Sequence, residues 1–252
     1  MVAVPYRMIA VSLLSLSFPA FADDATIWGL GVGVVSTQKP YAGIDREYTP
    51  LPVLHIENRY FRLLGTTAEV KLPAWQWSET QQLNVGLIAR YDGSGYTSDD
   101  ADILQGMARR KGGVWAGVKV AWQNPLVNIF TDWSHDISDN SHGQRVRLGA
   151  ERSWKWRGVT LTPRIVANRY DSDYVNYYYG VHSDEARAWR PAWQGDAALN
   201  TEIGLNGRWQ FSTHQVLMVD VQTTLLASEI KESPLVDRSN ENQFFLSYLY
   251  YF

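Results

Sequence analysis

From Asn242 onward the chain alternates Phe244, Leu246, Tyr248, Tyr250 and Phe252 along one face, carries no charge on either face, and stops. Side chains two apart share one face of a β-strand. The segment therefore presents an unbroken apolar and aromatic row, for which the end of a soluble fold has little use. A membrane-spanning β-barrel does use it, because its closing strand faces lipid and aromatic rings settle at the membrane–water boundary. Tyr248, Tyr250 and Phe252 also have the form of the signal that outer-membrane assembly machinery reads on its clients. That machinery, and outer-membrane lipid and lipopolysaccharide, are the first expected partners.

The amino-terminal end agrees. Arg7 is followed by an apolar run from Met8 to Phe18, then by Ala20-Phe21-Ala22 ahead of Asp23. This is the layout of a cleaved secretory signal over residues 1–22, with an Ala-x-Ala site. The run is too short to span a bilayer as a helix. The expected mature unit, 23–252, is a single barrel in the cell outer membrane.

Composition narrows the function classes. The leader holds one of the 23 Lys and Arg and none of the 26 Asp and Glu, leaving 22 minus 26, or −4, on the mature chain. Such a balance gives no nucleic-acid footprint. The absence of cysteine rules out disulfides, thiolate metal sites and cysteine nucleophiles. Eleven Trp and fourteen Tyr supply membrane girdles in a chain whose mean hydropathy is −0.26. Strands that are half lipid-facing and half lumen-facing produce that combination.

Period-2 alternation recurs along the body. Leu83 to Tyr91, Val114 to Trp122, Val127 to Trp133, Val146 to Trp154, Leu199 to Trp209 and Leu217 to Leu225 each carry an apolar row against a polar one. The polar rows include Arg145, Arg147, Glu151, Glu202, Arg208 and Asp220. Unpaired charges are costly inside a soluble sandwich, whereas in a lumen they meet one another or water. A sandwich with its apolar faces inward has the same periodicity. The leader, the closing strand and the belt-like Trp and Tyr positions favour the barrel.

Connections alternate long (36–50, 92–112, 135–143, 171–196, 227–241) and short (Asn124-Pro125, Lys155–Gly158, Gln210–His214). With the carboxy-terminus in the periplasm, the long ones lie outside the cell. The segment Asn58–Leu72 reads as one long strand or two short ones, and only two give an even total. The sequence thus predicts a closed antiparallel barrel of twelve strands, with ten as the alternative. Inward-facing Phe245, Leu249 and Tyr251 point to a partly filled lumen.

No catalytic residue, metal site or cofactor is expected. His135, Asp136, Asp139 and His142 share one long loop, but Asp, Asn, Ser and Gly at such density also make an ordinary polar turn. His182-Ser183 has no partner at a recognisable spacing, and Gly-x-Ser-x-Gly, phosphate-loop and HExxH patterns are missing. The more distinctive segments concern binding. Tyr174, Tyr177, Tyr178 and Tyr179 crowd six positions, and Tyr41 sits in Lys39-Pro40-Tyr41-Ala42-Gly43 ahead of Pro50-Leu51-Pro52. Tyrosine clusters make contact surfaces, or pack on themselves. Trp156, flanked by Lys155 and Arg157, is the strongest anchor among the short turns, or else a girdle residue.

In order along the chain, Pro40-Tyr41-x-Gly43, Pro50-Leu51-Pro52, Asp173-Tyr174-x-x-Tyr177-Tyr178-Tyr179-Gly180-Val181, Ser233-Pro234-Leu235-Val236 and the terminal aromatic strand resemble the MipA/OmpV family of outer-membrane proteins. Asp99-Asp100, Leu104 and the basic run Arg109 to Lys111 resemble its YiaT-like branch. The resemblance implies an outer-membrane barrel. It further implies a non-enzymatic scaffold that links a murein-degrading lytic transglycosylase to a murein-synthesising penicillin-binding protein. The alternative is a small-solute channel whose wet lumen is lined by the six charged residues named above.

Overall fold

The computed structural model describes residues 26–252, so the leader expected over residues 1–22 lies outside the described residues. Fourteen strands follow one another: β1 (Ile27–Gln38), β2 (Glu47–Glu57), β3 (Phe61–Leu64), β4 (Thr67–Lys71), β5 (Trp75–Ser78), β6 (Gln81–Asp92) and β7 (Gly113–Gln123), then β8 (Asn128–Asp136), β9 (Gln144–Glu151), β10 (Trp154–Trp156), β11 (Val159–Tyr170), β12 (Ala198–Gln210), β13 (Gln215–Leu225) and β14 (Asn240–Tyr251). Each neighbouring pair is antiparallel, and β14 returns to β1 from Gly29↔Tyr251 to Gln38↔Asn242. The sheet is thereby closed and has no free edge running its full length.

The ring has twelve staves. β5 continues β4 along the lower part of β6 after a break at Pro73, and β10 continues β9 along β11 after Arg152-Ser153. The ambiguous segment Asn58–Leu72 resolves into two short staves. β3 and β4 join through Gly65-Thr66, with Gly65 in the left-handed region at φ 57°. Twelve is the count, and ten is excluded.

β2 begins earlier than its prolines suggest. The sequence places a long connection up to residue 50, yet Pro50 and Pro52 are both inside β2, opposite Val34 and Val32 of β1. Beyond β1, β2 pairs only through residues 55–57 with β3, and Gly65 donates to the Leu54 carbonyl. Even-numbered residues of β2 therefore direct their backbone groups to the side where the upper strand has no partner. Proline, lacking an N–H, is tolerated on that side.

Apolar and aromatic side chains stand on the outer wall, and Leu30, Val32, Leu87, Leu148, Ile165 and Ile203 are all exposed there. The inward rows are polar. Two staves approach so closely that only glycine fits the inner face. A Cβ at Gly31 would collide with the Tyr248 carbonyl of β14, and one at Gly117 with the Trp133 carbonyl of β8.

Candidate functional site

At the long-loop end the chain builds a second, soluble-like core. Asp171 caps helix α1 (Ser172–Tyr179), its carboxylate accepting from the Tyr174 amide at 3.0 Å. Helical spacing puts Tyr174 and Tyr178 on one face, with ring centroids 4.7 Å apart, and Tyr170 stacks on Tyr174 at 4.1 Å. Tyr41 from the β1–β2 loop packs on Tyr179 at 5.6 Å and on Tyr96 of the β6–β7 loop at 4.9 Å. Leu104, Val175, Ile230 and Leu235 complete the cluster, fully buried. These loops rise from staves a third of the ring apart, so the core spans the mouth. It forms a cap.

Placement in this core changes what the tyrosines offer. Tyr41, Tyr174, Tyr178 and Tyr179 are buried, and Tyr177 is half-buried with its hydroxyl accepting from the Lys111 amide. They are therefore mortar of the cap and present little surface to a partner, which corrects their reading as a contact surface. Burial, and then the neighbouring tyrosines, drives the Tyr41 and Tyr174 hydroxyls well above the ordinary phenol range, so both stay neutral. Each aromatic pair contributes about 0.5–1.5 kcal/mol beyond its buried area.

A buried ion pair clamps two of these loops. The Arg110 guanidinium donates to Glu185 at 2.8 Å and, through Nε, to the Tyr177 carbonyl at 2.7 Å. Glu185 also accepts from the amides of Ala108 and His182. Burial alone would raise the Glu185 pKa, but those amides and Arg110 outweigh it and hold the carboxyl below its usual range. A depressed acid stabilises the fold above its unfolded pKa, about 4.3 for Glu, and loses that contribution as pH falls through the native value. Once the intrinsic pH dependence of exchange is divided out, the Ala108 and His182 amides that donate to Glu185 should be equally protected from hydrogen exchange at pH 7 and pH 5 and lose protection below about pH 4. Removing one partner of such a pair costs about 3–5 kcal/mol. Glu185→Ala should therefore unprotect the same two amides at pH 7, and unchanged exchange would refute the clamp.

Below the cap the lumen is crossed by ion pairs. Arg164 of β11 donates from Nε to Glu202 at 2.7 Å and grips Asp220 with both terminal nitrogens at 2.8 and 2.9 Å. Arg147 lies 3.6 Å from Asp132 and 3.7 Å from Glu202, and Arg145 reaches from β9 to Asp92 of β6 at 3.3 Å. Glu151 shares the inward row of Arg145 and Arg147, and Arg208 sits over the Tyr251 ring at the exposed short-turn end. Lower down, His55 Nδ1 is 2.9 Å from the Tyr251 hydroxyl, and Lys71 pairs with Glu57. Leu249 is fully buried on the inward face of β14, which fills part of the lumen there.

The short-turn end carries the tryptophans. Seven of the eleven (Trp28, Trp75, Trp77, Trp122, Trp154, Trp156 and Trp209) are exposed at that rim. β10 turns into β11 through Arg157-Gly158, both at positive φ (45° and 80°), the geometry of a tight two-residue hairpin. Trp156 is 69% exposed with the Arg157 guanidinium 5.0 Å over its ring. The extensions β5 and β10 carry the same pattern, Trp75-Gln76-Trp77 and Trp154-Lys155-Trp156, and each is paired along one edge only. The first of these was missed in the sequence, although the repeated Trp-x-Trp is legible there.

The family described as MltA-interacting protein MipA matches residues 30–252, nearly the whole described barrel. The chain belongs to this family. YiaT of Escherichia coli (strain K12) is 24% identical over 93% of this chain and 94% of its own. The MltA-interacting protein of the same strain is 24% identical over 92% and 93%. Outer membrane protein OmpV of Vibrio cholerae serotype O1 is 26% identical over 72% and 66%. Among solved structures, the NanC porin aligns over 88% of this chain and 98% of its own, at 11% identity and a TM-score of 0.46. The closed ring itself is read from this chain's own strand pairing.

As a MipA/OmpV outer-membrane barrel, the protein presents its cap outside the cell and its tryptophan rim to the periplasm. The histidine-bearing loop belongs to the outer side. Asp136 there accepts from the amides and hydroxyls of Ser138 and Ser141, while Asp139 and His142 form an exposed contact at 3.2 Å. These bonds fold the loop.

Proposed function

We propose that this barrel is a non-enzymatic scaffold that holds a murein-degrading lytic transglycosylase, and through it a penicillin-binding protein, at the inner face of the outer membrane. The observation that carries this reading is the division between the two ends. The outer mouth is covered by a packed core, while the periplasmic rim exposes Trp-rich strand extensions whose free edges are open to another chain. Tryptophan and arginine dominate interface energetics, and Trp156 with Arg157 supplies both. The name of the MltA-interacting relative in Escherichia coli supports the same class of partner.

A second reading, a small-solute transport barrel, is favoured by the charged lumen of Arg145, Arg147, Glu151, Glu202, Arg208 and Asp220. Two measurements separate them. Detergent-solubilised protein should retain a lytic transglycosylase in a pull-down. Alanine at Lys155, Trp156 and Arg157 should weaken that retention at least fivefold, with barrel abundance unchanged. If no murein enzyme is retained and the purified barrel conducts in stable steps across a planar bilayer, transport replaces the scaffold.

A further inference from the structure

Among the described residues, eight buried side-chain polar atoms have no partner within the protein, and five of them belong to one patch of the lumen wall under the cap. They are Nε and Nη2 of Arg145, Nε1 of Trp115, Oγ of Ser134 and Oδ1 of Asp132. The strand register makes the patch contiguous. Ser134 of β8 lies between Gly117 of β7 and Arg145 of β9, and in the next inward row Asp132 lies between Lys119 and Arg147. Trp115 begins the inward row of β7 and carries the Arg145 guanidinium 5.1 Å from its ring. Arg145 is 6% exposed and Trp115 1%.

The free atoms have a direction. Nη1 of Arg145 is engaged with Asp92, which leaves Nε and Nη2, the edge of the guanidinium that grips a carboxylate through two parallel hydrogen bonds. The guanidinium sits over the Trp115 ring. Ser134 and the indole N–H add donors beside it. Asp132 keeps one oxygen facing Arg147 and leaves the other free to accept. A bare anion would satisfy the donors and repel Asp132. A molecule with a carboxylate and a neighbouring hydroxyl satisfies both.

The geometry points to a binding site for hydroxylated carboxylates in the lumen, with Arg145 as the carboxylate clamp, Ser134 and Trp115 as auxiliary donors and Asp132 as hydroxyl acceptor. The site is independent of the scaffold reading. The test is calorimetric titration of the full barrel in detergent with glycolate, acetate and sulfate at matched ionic strength. Glycolate should bind saturably and more tightly than acetate, with sulfate weakest. Arg145→Lys, which keeps the charge and loses the fork, should weaken glycolate about tenfold or more. Ser134→Ala, a change that leaves the ion pairs intact, should weaken it about threefold. Asp132→Ala, which removes the acceptor, should erase the preference over acetate. Heat-modifiable migration on a gel confirms that each variant is folded. Absence of saturable glycolate binding (the buried atoms then being served by water alone), preference for sulfate, or affinity untouched by Ser134→Ala and Arg145→Lys would each overturn the assignment.

Discussion

Gly117→Ala is expected to abolish the folded barrel. The added Cβ would run into the carbonyl of Trp133 and approach the Ser134 Cα at 2.7 Å. Those are backbone atoms of the adjacent stave, and they cannot swing aside as a flexible side chain can. β7 and β8 pair from Trp115↔Asp136 to Trp122↔Ile129, so relieving the clash separates two staves in the middle of a ladder. A closed barrel resists detergent at room temperature because no strand edge runs free along its full length. The variant should therefore lose the mobility difference between unboiled and boiled samples, and Gly31→Val should do the same at the β1–β14 seam. Gly207 provides the control. A Cβ there meets nothing nearer than Leu161 at 3.5 Å, so Gly207→Ala should assemble normally. A Gly117→Ala barrel that still migrates as a heat-modifiable species would show that the staves are not held as described.

Replacing both Tyr250 and Phe252 with Ser should reduce the outer-membrane level at least tenfold, with the unassembled chain degraded in the periplasm. β14 is the closing stave, hydrogen-bonded to β13 on one side and β1 on the other. Tyr250 faces outward and packs on Phe252 at 5.3 Å and on His214 at 5.7 Å, while the Phe252 amide donates to the Trp28 carbonyl at 3.0 Å. The two rings lie outside the ladder itself, so the substitution removes aromatic contact with the membrane boundary and leaves the backbone bonds available. Phe252→Tyr alone should be tolerated. Immunoblots of fractionated membranes give the answer, and normal levels of the double variant would separate the terminal aromatics from assembly.

The outer wall was legible because a strand in a membrane obeys a local rule. Every second residue of Leu199 to Trp209 or Leu217 to Leu225 faces lipid, and period-2 alternation records that residue by residue. The polar alternates Arg147, Glu202 and Asp220 announce a lumen by the same rule. That Arg164 takes Glu202 and Asp220 while Arg147 takes Asp132 and Glu202 was not readable, since that depends on the register between neighbouring staves. Pro50 and Pro52 misled because proline suggests a loop when the partner strand is unknown. They are harmless in β2 only because β3 is too short to reach their side.

The cap was the least legible part. Tyr174 to Tyr179 carry no period-2 signal and follow a strand, so composition alone left a contact surface open beside an aromatic girdle or a self-packed loop. Packing against Tyr41, Tyr96 and Leu235, which lie up to about two hundred residues apart, decides for the packed loop. The sequence by itself therefore determined the barrel, its membrane and the face each strand residue takes, because those follow from local alternation in a two-solvent environment. Only the tertiary structure decided that the mouth is covered, which charges meet across the lumen and which polar atoms of Arg145, Trp115, Ser134 and Asp132 are left without partners. Those depend on contacts between distant segments, and no local pattern in the chain encodes them.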